Sequence, residues 1–281
     1  MRGNPYKRQM YKNLILPFIL AIFLVSCENP FDYQFETTDP LPVIEAWITN
    51  EYKNQEIIVS YTLSSPNDSV RYARDARVYV TDGQNVYAFG EQEGNPGHYV
   101  STEKFLATVD RTYDLTVELD GKTYTASTNV LPVFMPDSMR FLYVQEKGLY
   151  RIDYVAPYFS PYESALYIIY LDWSNVAGYQ DLPYDSTHAK VYFFTLKTVD
   201  VNQLFPPYHE DVYFPVGTKV TEYKYSLTPF FEQYVRAMLV ETSWSGSLFD
   251  VQHFNLPTNI QGGALGYFTA SSVVEREYVV R

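Results

Sequence analysis

The chain has 281 residues, with 33 acidic against 21 basic side chains for a net charge of −12, one cysteine, and 28 tyrosines within an aromatic content of 17%. So acidic a chain is unsuited to nucleic acid or to anionic headgroups, and a single cysteine excludes an internal disulfide, so the hydrophobic core alone must hold the fold. The tyrosines suit a β-sheet, which favours aromatic residues, or an exposed contact surface for a ligand or partner.

Residues 1–26 read as a lipoprotein signal peptide. Arg2, Lys7, Arg8 and Lys12 form a basic region, Leu14 to Leu24 an apolar one, and Leu24-Val25-Ser26-Cys27 closes the leader. The apolar run is too short to span a bilayer and its flanks are those of a secretory signal. A small residue before Cys27 is what lipoprotein signal peptidase requires: the thiol is lipidated, and cleavage frees an amine that is acylated in turn. The plainer alternative is an ordinary signal peptide that ends beside a cysteine. Acylated Cys27 would anchor the chain permanently, since two lipid signals already suffice. Removal of the leader takes away four basic residues and leaves 255 residues, 17 basic against 33 acidic, or about −16. Residues 27–40, with Glu28, Asp32, Glu36 and Asp39, lack apolar periodicity and read as an acidic tether.

From Leu41 the pattern turns to period two. Strands are expected at 41–50, 55–63, 76–80, 85–89 and 98–101, with 66–75 and 90–97 as loops. Asp82-Gly83 supplies a turn. The clearest hairpin runs from Tyr113, Leu115, Val117 and Leu119 through Asp120-Gly121 to Tyr124, Ala126 and Thr128; Asp-Gly suits a type I′ turn because both central residues need positive φ. About seven short strands at this spacing over 41–131 read as an immunoglobulin-like β-sandwich, with Tyr113 resembling a tyrosine corner.

Pro132 and Pro136 cannot continue a central strand and mark a junction. Residues 132–281 read as a second β-rich domain. Strands are expected at 139–144 and 150–154, at 165–173 as a central strand apolar on both faces, and at 191–196. Val212–Phe214 and 220–225 are edge-strand candidates, and 265–269 and 272–280 complete that sheet. One amphipathic helix is expected near 228–242. Leu227, Phe230, Phe231, Tyr234, Val235, Met238 and Leu239 follow helical spacing, with Thr228 as cap and Pro229 in the first turn. The overall expectation is a mainly β protein with one helix.

No catalytic constellation emerges. His98, His188, His209 and His253 show no metal-ligand spacing, and adjacent His209, Glu210 and Asp211 would point to opposite faces of a strand. Asp250 and His253 lack a serine motif, since Ser243-Trp244-Ser245-Gly246-Ser247 fails the nucleophile elbow at its first glycine. Gly262-Gly263-Ala264-Leu265-Gly266 is no dinucleotide fingerprint. No cofactor, no metal and no catalytic residue is expected.

Four blocks in order carry a family resemblance: Glu45-Ala46-Trp47-Ile48-Thr49-Asn50, Thr112 to Leu115 with Asp120 to Ala126, Leu131-Pro132 through Pro136-Asp137-Ser138, and Asn259 to Phe268, where Leu265 adds one residue to the glycine run. Together they resemble a family of Bacteroidota outer-membrane lipoproteins known as a domain of unknown function, number 4249. The acidic tether likewise resembles surface-export signals in such lipoproteins. The resemblance implies an outer-membrane location, facing the cell exterior, beside TonB-dependent transporters as accessory subunits of SusC/SusD-like systems. The expected function is therefore a non-enzymatic, lipid-anchored surface protein that docks on such a transporter and helps bind or hand over a ligand. Two alternatives stay open: a surface-anchored glycan or peptide hydrolase, and a structural adhesin or envelope scaffold. Within the chain, Gly262, Gly263, Tyr267 and Phe268 are the candidate partner or ligand contact, because glycine-dense loops flanked by aromatics allow close backbone approach; the alternative is a tight turn.

Overall fold

A computed structural model describes residues 39–65, 68–198, 211–242 and 256–281. Alternation dictates the first sheet. In β1 (Pro42–Thr49) Ile44, Ala46 and Ile48 point inward and are fully buried, while Glu45 points out and Trp47 is half-buried. The same alternation runs through β2 (Glu56–Tyr61), β4 (Arg77–Thr81), β5 (Val86–Glu91), β6 (His98–Ser101), β7 (Thr112–Leu119) and β8 (Lys122–Asn129). A two-residue strand, β3 (Arg71–Tyr72), pairs with β2 inside the stretch expected to be loop. At the β7–β8 turn Asp120 and Gly121 both have positive φ, 52° and 74°, as a type I′ turn demands. The Tyr113 hydroxyl accepts from the Thr108 amide at 2.9 Å, tying the strand to the backbone upstream of it.

The expectation for the C-terminal strands changes here. β14 (Leu265–Ser271) does not complete a second sheet; it pairs in parallel with β1, Val43 opposite Leu265 through Thr49 opposite Ser271. The result is one nine-stranded sheet in the order β14-β1-β2-β6-β5-β4-β7-β8, with β3 on β2. Its ends nearly meet, because Gln261, just ahead of β14, exchanges backbone hydrogen bonds with Thr125 of β8 at 2.7 and 3.3 Å. The hydrogen bonding therefore traces a nearly closed, barrel-like sheet around one apolar core, and an immunoglobulin-like sandwich of two separate sheets is not confirmed.

A four-stranded antiparallel sheet follows, ordered β12 (His188–Thr195), β11 (Ala165–Asp172), β13 (Lys219–Ser226) and β15 (Val273–Val279). The hairpin of β9 (Arg140–Val144) and β10 (Leu149–Tyr154) forms its own two-stranded sheet. Phe141 and Ile152 of the hairpin share a core with Tyr167, Ile169 and Leu171 of β11. Of the expected strand Val212–Phe214 only a bridge between Phe214 and Tyr150 forms. On the other face of β11, Leu166 and Ile168 pack with the helix α1 (Pro229–Glu241), whose buried residues are Phe231, Val235 and Leu239. Thr228 caps α1 by accepting from the Phe231 amide at 3.3 Å. Phe231 of α1 also meets Trp47 and Tyr267, which point outward from the barrel. The helix thus contacts both sheets within one cluster, and residues 39–281 form one unit. Among the described residues no helix is long and apolar enough to cross a membrane.

Candidate functional site

The helix covers only part of the second sheet. Along β11, Leu166 and Ile168 lie under α1, but Tyr170, two residues on, is 42% exposed. The reading of 165–173 as apolar and buried on both faces holds through Ile169 and fails at Tyr170. The register places Lys190 of β12 opposite Tyr170, and Tyr192 and Tyr223 on either side of Ile168. Since residues two apart on a strand share a face, Tyr170, Lys190, Tyr192 and Tyr223 occupy one surface. Tyr192 is 51% exposed.

The rings are held in place from within that surface. Lys190 Nζ lies 4.9 Å from the Tyr192 ring centroid and 5.3 Å from that of Tyr170, within cation–π range of both. A hydrogen bond to the Tyr192 hydroxyl raises the Lys190 pKa, outweighing the burial that would lower it. Tyr223 meets Tyr170 edge-on at 5.9 Å, and burial, aided by the neighbouring Glu275 carboxylate, pushes its hydroxyl pKa up. The charged groups are paired locally, Lys219 with Glu277 at 2.6 Å and His188 with Asp172 at 3.3 Å. Tyr184, 69% exposed, stacks on His188 at 3.9 Å. This surface can bind by stacking and hydrogen bonding.

A shallow concavity of about 480 Å³ lies by the β9–β10 hairpin, lined by Tyr143, Arg151, Asp211 and Tyr213 among others. Its polar groups engage one another: Asp211 accepts from the Tyr213 hydroxyl at 3.3 Å and faces Arg151 at 3.6 Å, while Lys147 lies over the Tyr213 ring. Among the described residues no cluster of three His, Cys, Asp or Glu side chains is placed to hold a metal. His98 sits 2.6 Å from Glu56. His209, Asp250 and His253 lie outside the described residues.

The sequence candidates land elsewhere. Cys27 lies outside the described residues. Gly262 and Gly263 carry the chain from the Gln261 bridge with β8 into β14, with φ of 97° and 89°. A Cβ at Gly262 would stand 2.7 Å from the Thr123 carbonyl oxygen, so the close approach at this glycine is to the protein's own backbone. Phe268 is fully buried in the barrel, and its amide and carbonyl both bond the Asn259 side chain at 2.9 Å. Tyr267 packs against Tyr234 at 4.8 Å under α1. Neither Tyr267 nor Phe268 shares a surface with Tyr170. Tyr192 follows the alternating run His188 to Val191, but Tyr170 sits in a run that is apolar on both faces, and its exposure beside the helix is a tertiary fact.

Fold and surface together define a β-rich protein whose barrel and smaller sheet are clamped by one helix. The chain belongs to the family described as domain of unknown function (DUF4249), whose sequence model matches residues 28–277. The chain has no match among curated proteins.

Proposed function

We propose that this protein is a non-enzymatic, lipid-anchored protein of the Bacteroidota outer membrane, facing the cell exterior. In this reading it acts as an accessory subunit of a TonB-dependent, SusC-like transporter and holds a ligand for it. The leader ending at Cys27 supports the anchor, and the resemblance of the family blocks supports the transporter as partner. The observation that carries the binding role is the open tyrosine face, where Tyr170 and Tyr192 on two neighbouring strands stay exposed beside the helix, next to the partly buried Tyr223. Exposed tyrosines combine large contact area with few rotatable bonds, so little conformational entropy is lost on binding. Metabolic labelling with a fatty-acid analogue, followed by proteinase treatment of intact cells, tests anchoring and orientation. Label on the wild type but not on Cys27→Ala, with loss of the protein to proteinase, is the expected result. An unlabelled or fully protected protein contradicts it. Capture of the labelled protein in mild detergent then reads the partner: the transporter is expected with it, and a protein that comes down alone contradicts that role.

A further inference from the structure

Residues 132–139 carry the chain from the barrel to the β9–β10 hairpin without forming a strand. Pro136 and Met139 are buried, whereas Phe134 and Met135 are mostly exposed, so this strap buries little apolar surface. Among the described residues, every hydrogen bond that ties it to the second sheet or the hairpin runs through a side chain. The Phe134 amide donates to Glu163 Oε2 at 3.3 Å, and the Met139 amide to the Tyr278 hydroxyl at 3.4 Å. The Tyr154 hydroxyl of the hairpin donates to Asp137 Oδ2 at 3.4 Å. Arg276 Nη1 donates to the Pro136 and Asp137 carbonyls at 3.1 and 3.2 Å.

The bonds from Arg276 leave a buried carboxyl short of a partner. Arg276 stands directly opposite Glu222 in the β13–β15 register, where side chains on one face reach each other. Its guanidinium nevertheless goes to the strap and, at 3.3 Å, to the Tyr278 hydroxyl. That hydroxyl donates in turn to Glu222 Oε2, while Oε1 has no hydrogen-bond partner among the described residues. The guanidinium is thus one hydroxyl away from a second acceptor. Once ionised, that acceptor is the better one, because a bidentate Arg–carboxylate pair is stronger than bonds to neutral carbonyls. Burial holds Glu222 toward its neutral form, in which it competes weakly. No other group facing it takes that place. Lys224, on the same strand, is paired with Glu163. Tyr167 of β11 and Tyr278 of β15 have hydroxyl pKa values pushed up by burial, and Asp137 is the strap's own carboxyl.

We propose that residues 132–139 are a proton-operated latch: Arg276 holds the strap while Glu222 is neutral and leaves it to pair with Glu222 once that carboxyl ionises. The latch is closed at low pH and opens as pH rises, since only the ionised carboxylate competes for the guanidinium. Opening frees the strap from β15 and lets water reach the face that Glu222 and Lys224 share. The latch needs neither the transporter nor a ligand.

Hydrogen exchange of the full chain, read by mass spectrometry from about pH 5 to about pH 8, tests it. Strap amides are corrected for the intrinsic pH dependence of exchange and compared with those of the β7–β8 hairpin, which shares no group with the latch. The wild-type strap is expected to lose protection at least about tenfold over that range, equivalent to about 1.4 kcal/mol. In Glu222→Gln, which keeps an acceptor for Tyr278 but cannot ionise, protection is expected to stay constant. Asp137→Asn is expected to keep the wild-type pH dependence. A wild-type strap whose protection does not change with pH overturns the latch. So does a pH dependence that survives Glu222→Gln or disappears in Asp137→Asn. The wild-type profile needs no variant, so poor folding of Glu222→Gln leaves the test decisive.

Discussion

Trp47 meets Tyr225 edge-on with ring centroids 4.8 Å apart, and through this contact the barrel touches the second sheet. The indole Nε1 also donates to Ser271 Oγ at 3.0 Å, and that hydroxyl in turn donates to the Ser226 carbonyl at 2.7 Å. The Ser226 hydroxyl then donates to the Leu131 carbonyl at 2.8 Å. Asn50 joins the same seam by accepting from the Val273 amide at 2.8 Å. The block Glu45 to Asn50 is therefore a joint between sheets.

Trp47→Ala should loosen that joint. Full burial of tryptophan is worth about 3–5 kcal/mol on truncation; for the half-buried Trp47 a loss of about 2–3 kcal/mol is expected. Trp47→Phe, which keeps a ring but drops the bond to Ser271, should cost about 1 kcal/mol. Urea unfolding of both variants checks the order.

The glycines before and within β14 should separate sharply. A Cβ at Gly266 would overlap the Ile44 carbonyl, and its φ is 96°. Gly266→Ala should therefore cost more than about 4 kcal/mol or prevent folding. At Gly263 the surrounding space is open, and only the φ of 89° opposes a side chain. Gly263→Ala should cost about 1–2 kcal/mol. Thermal melts of the two variants test this contrast, and equal losses would count against a barrel closed at this point.

Local features were legible in the sequence and distant pairings were not. The β7–β8 hairpin and the helix with its Thr228 cap follow from turn chemistry and 3.6-residue spacing alone. The parallel pairing of Leu265–Ser271 with a strand more than 200 residues earlier has no local signature, because period two says which residues face inward and nothing about the partner strand. The glycine block was visible as a place of close backbone approach, but what approaches is Ile44 and Thr123 of the same chain. Tyr170 was hidden for the opposite reason: its strand reads as buried, and only the limited reach of the helix leaves it open.

A buried carboxyl gives the molecule a pH dependence. Glu222 is fully buried; Oε2 accepts from the Tyr278 hydroxyl at 2.9 Å, and Oε1 has no hydrogen-bond partner among the described residues. Burial raises its pKa, outweighing Tyr278, Arg276 and Lys224, which favour the charged form. A carboxyl with a raised folded-state pKa binds its proton more tightly when folded, so its ionisation destabilises the fold as pH rises above about 4.3, the value for an unfolded chain. Glu222→Gln should therefore gain stability relative to wild type on going from pH 5 to pH 8. Melting temperatures across that range test it, and a difference that does not change with pH would contradict it.

Asp82 works in the opposite direction. Burial alone would raise its pKa, but the amides of Asn85 and Gln84 and the Arg111 guanidinium hold it well below the usual carboxylate range. Its contribution is present above the unfolded-state pKa of about 3.9 and is lost as pH falls below that value. Asp82→Asn should be less stable than wild type at pH 7 and should show a shallower loss between about pH 4 and pH 2. Acid unfolding followed by circular dichroism reads both.

The proposed role beside a transporter is tested most directly by quantitative capture from native outer membranes. The tagged, lipidated protein is isolated in mild detergent and its company is read by mass spectrometry, with Cys27→Ala in parallel. A TonB-dependent transporter is expected in near-stoichiometric amount with the wild type and is expected to be lost with Cys27→Ala. A wild-type protein that is recovered alone would contradict the transporter role.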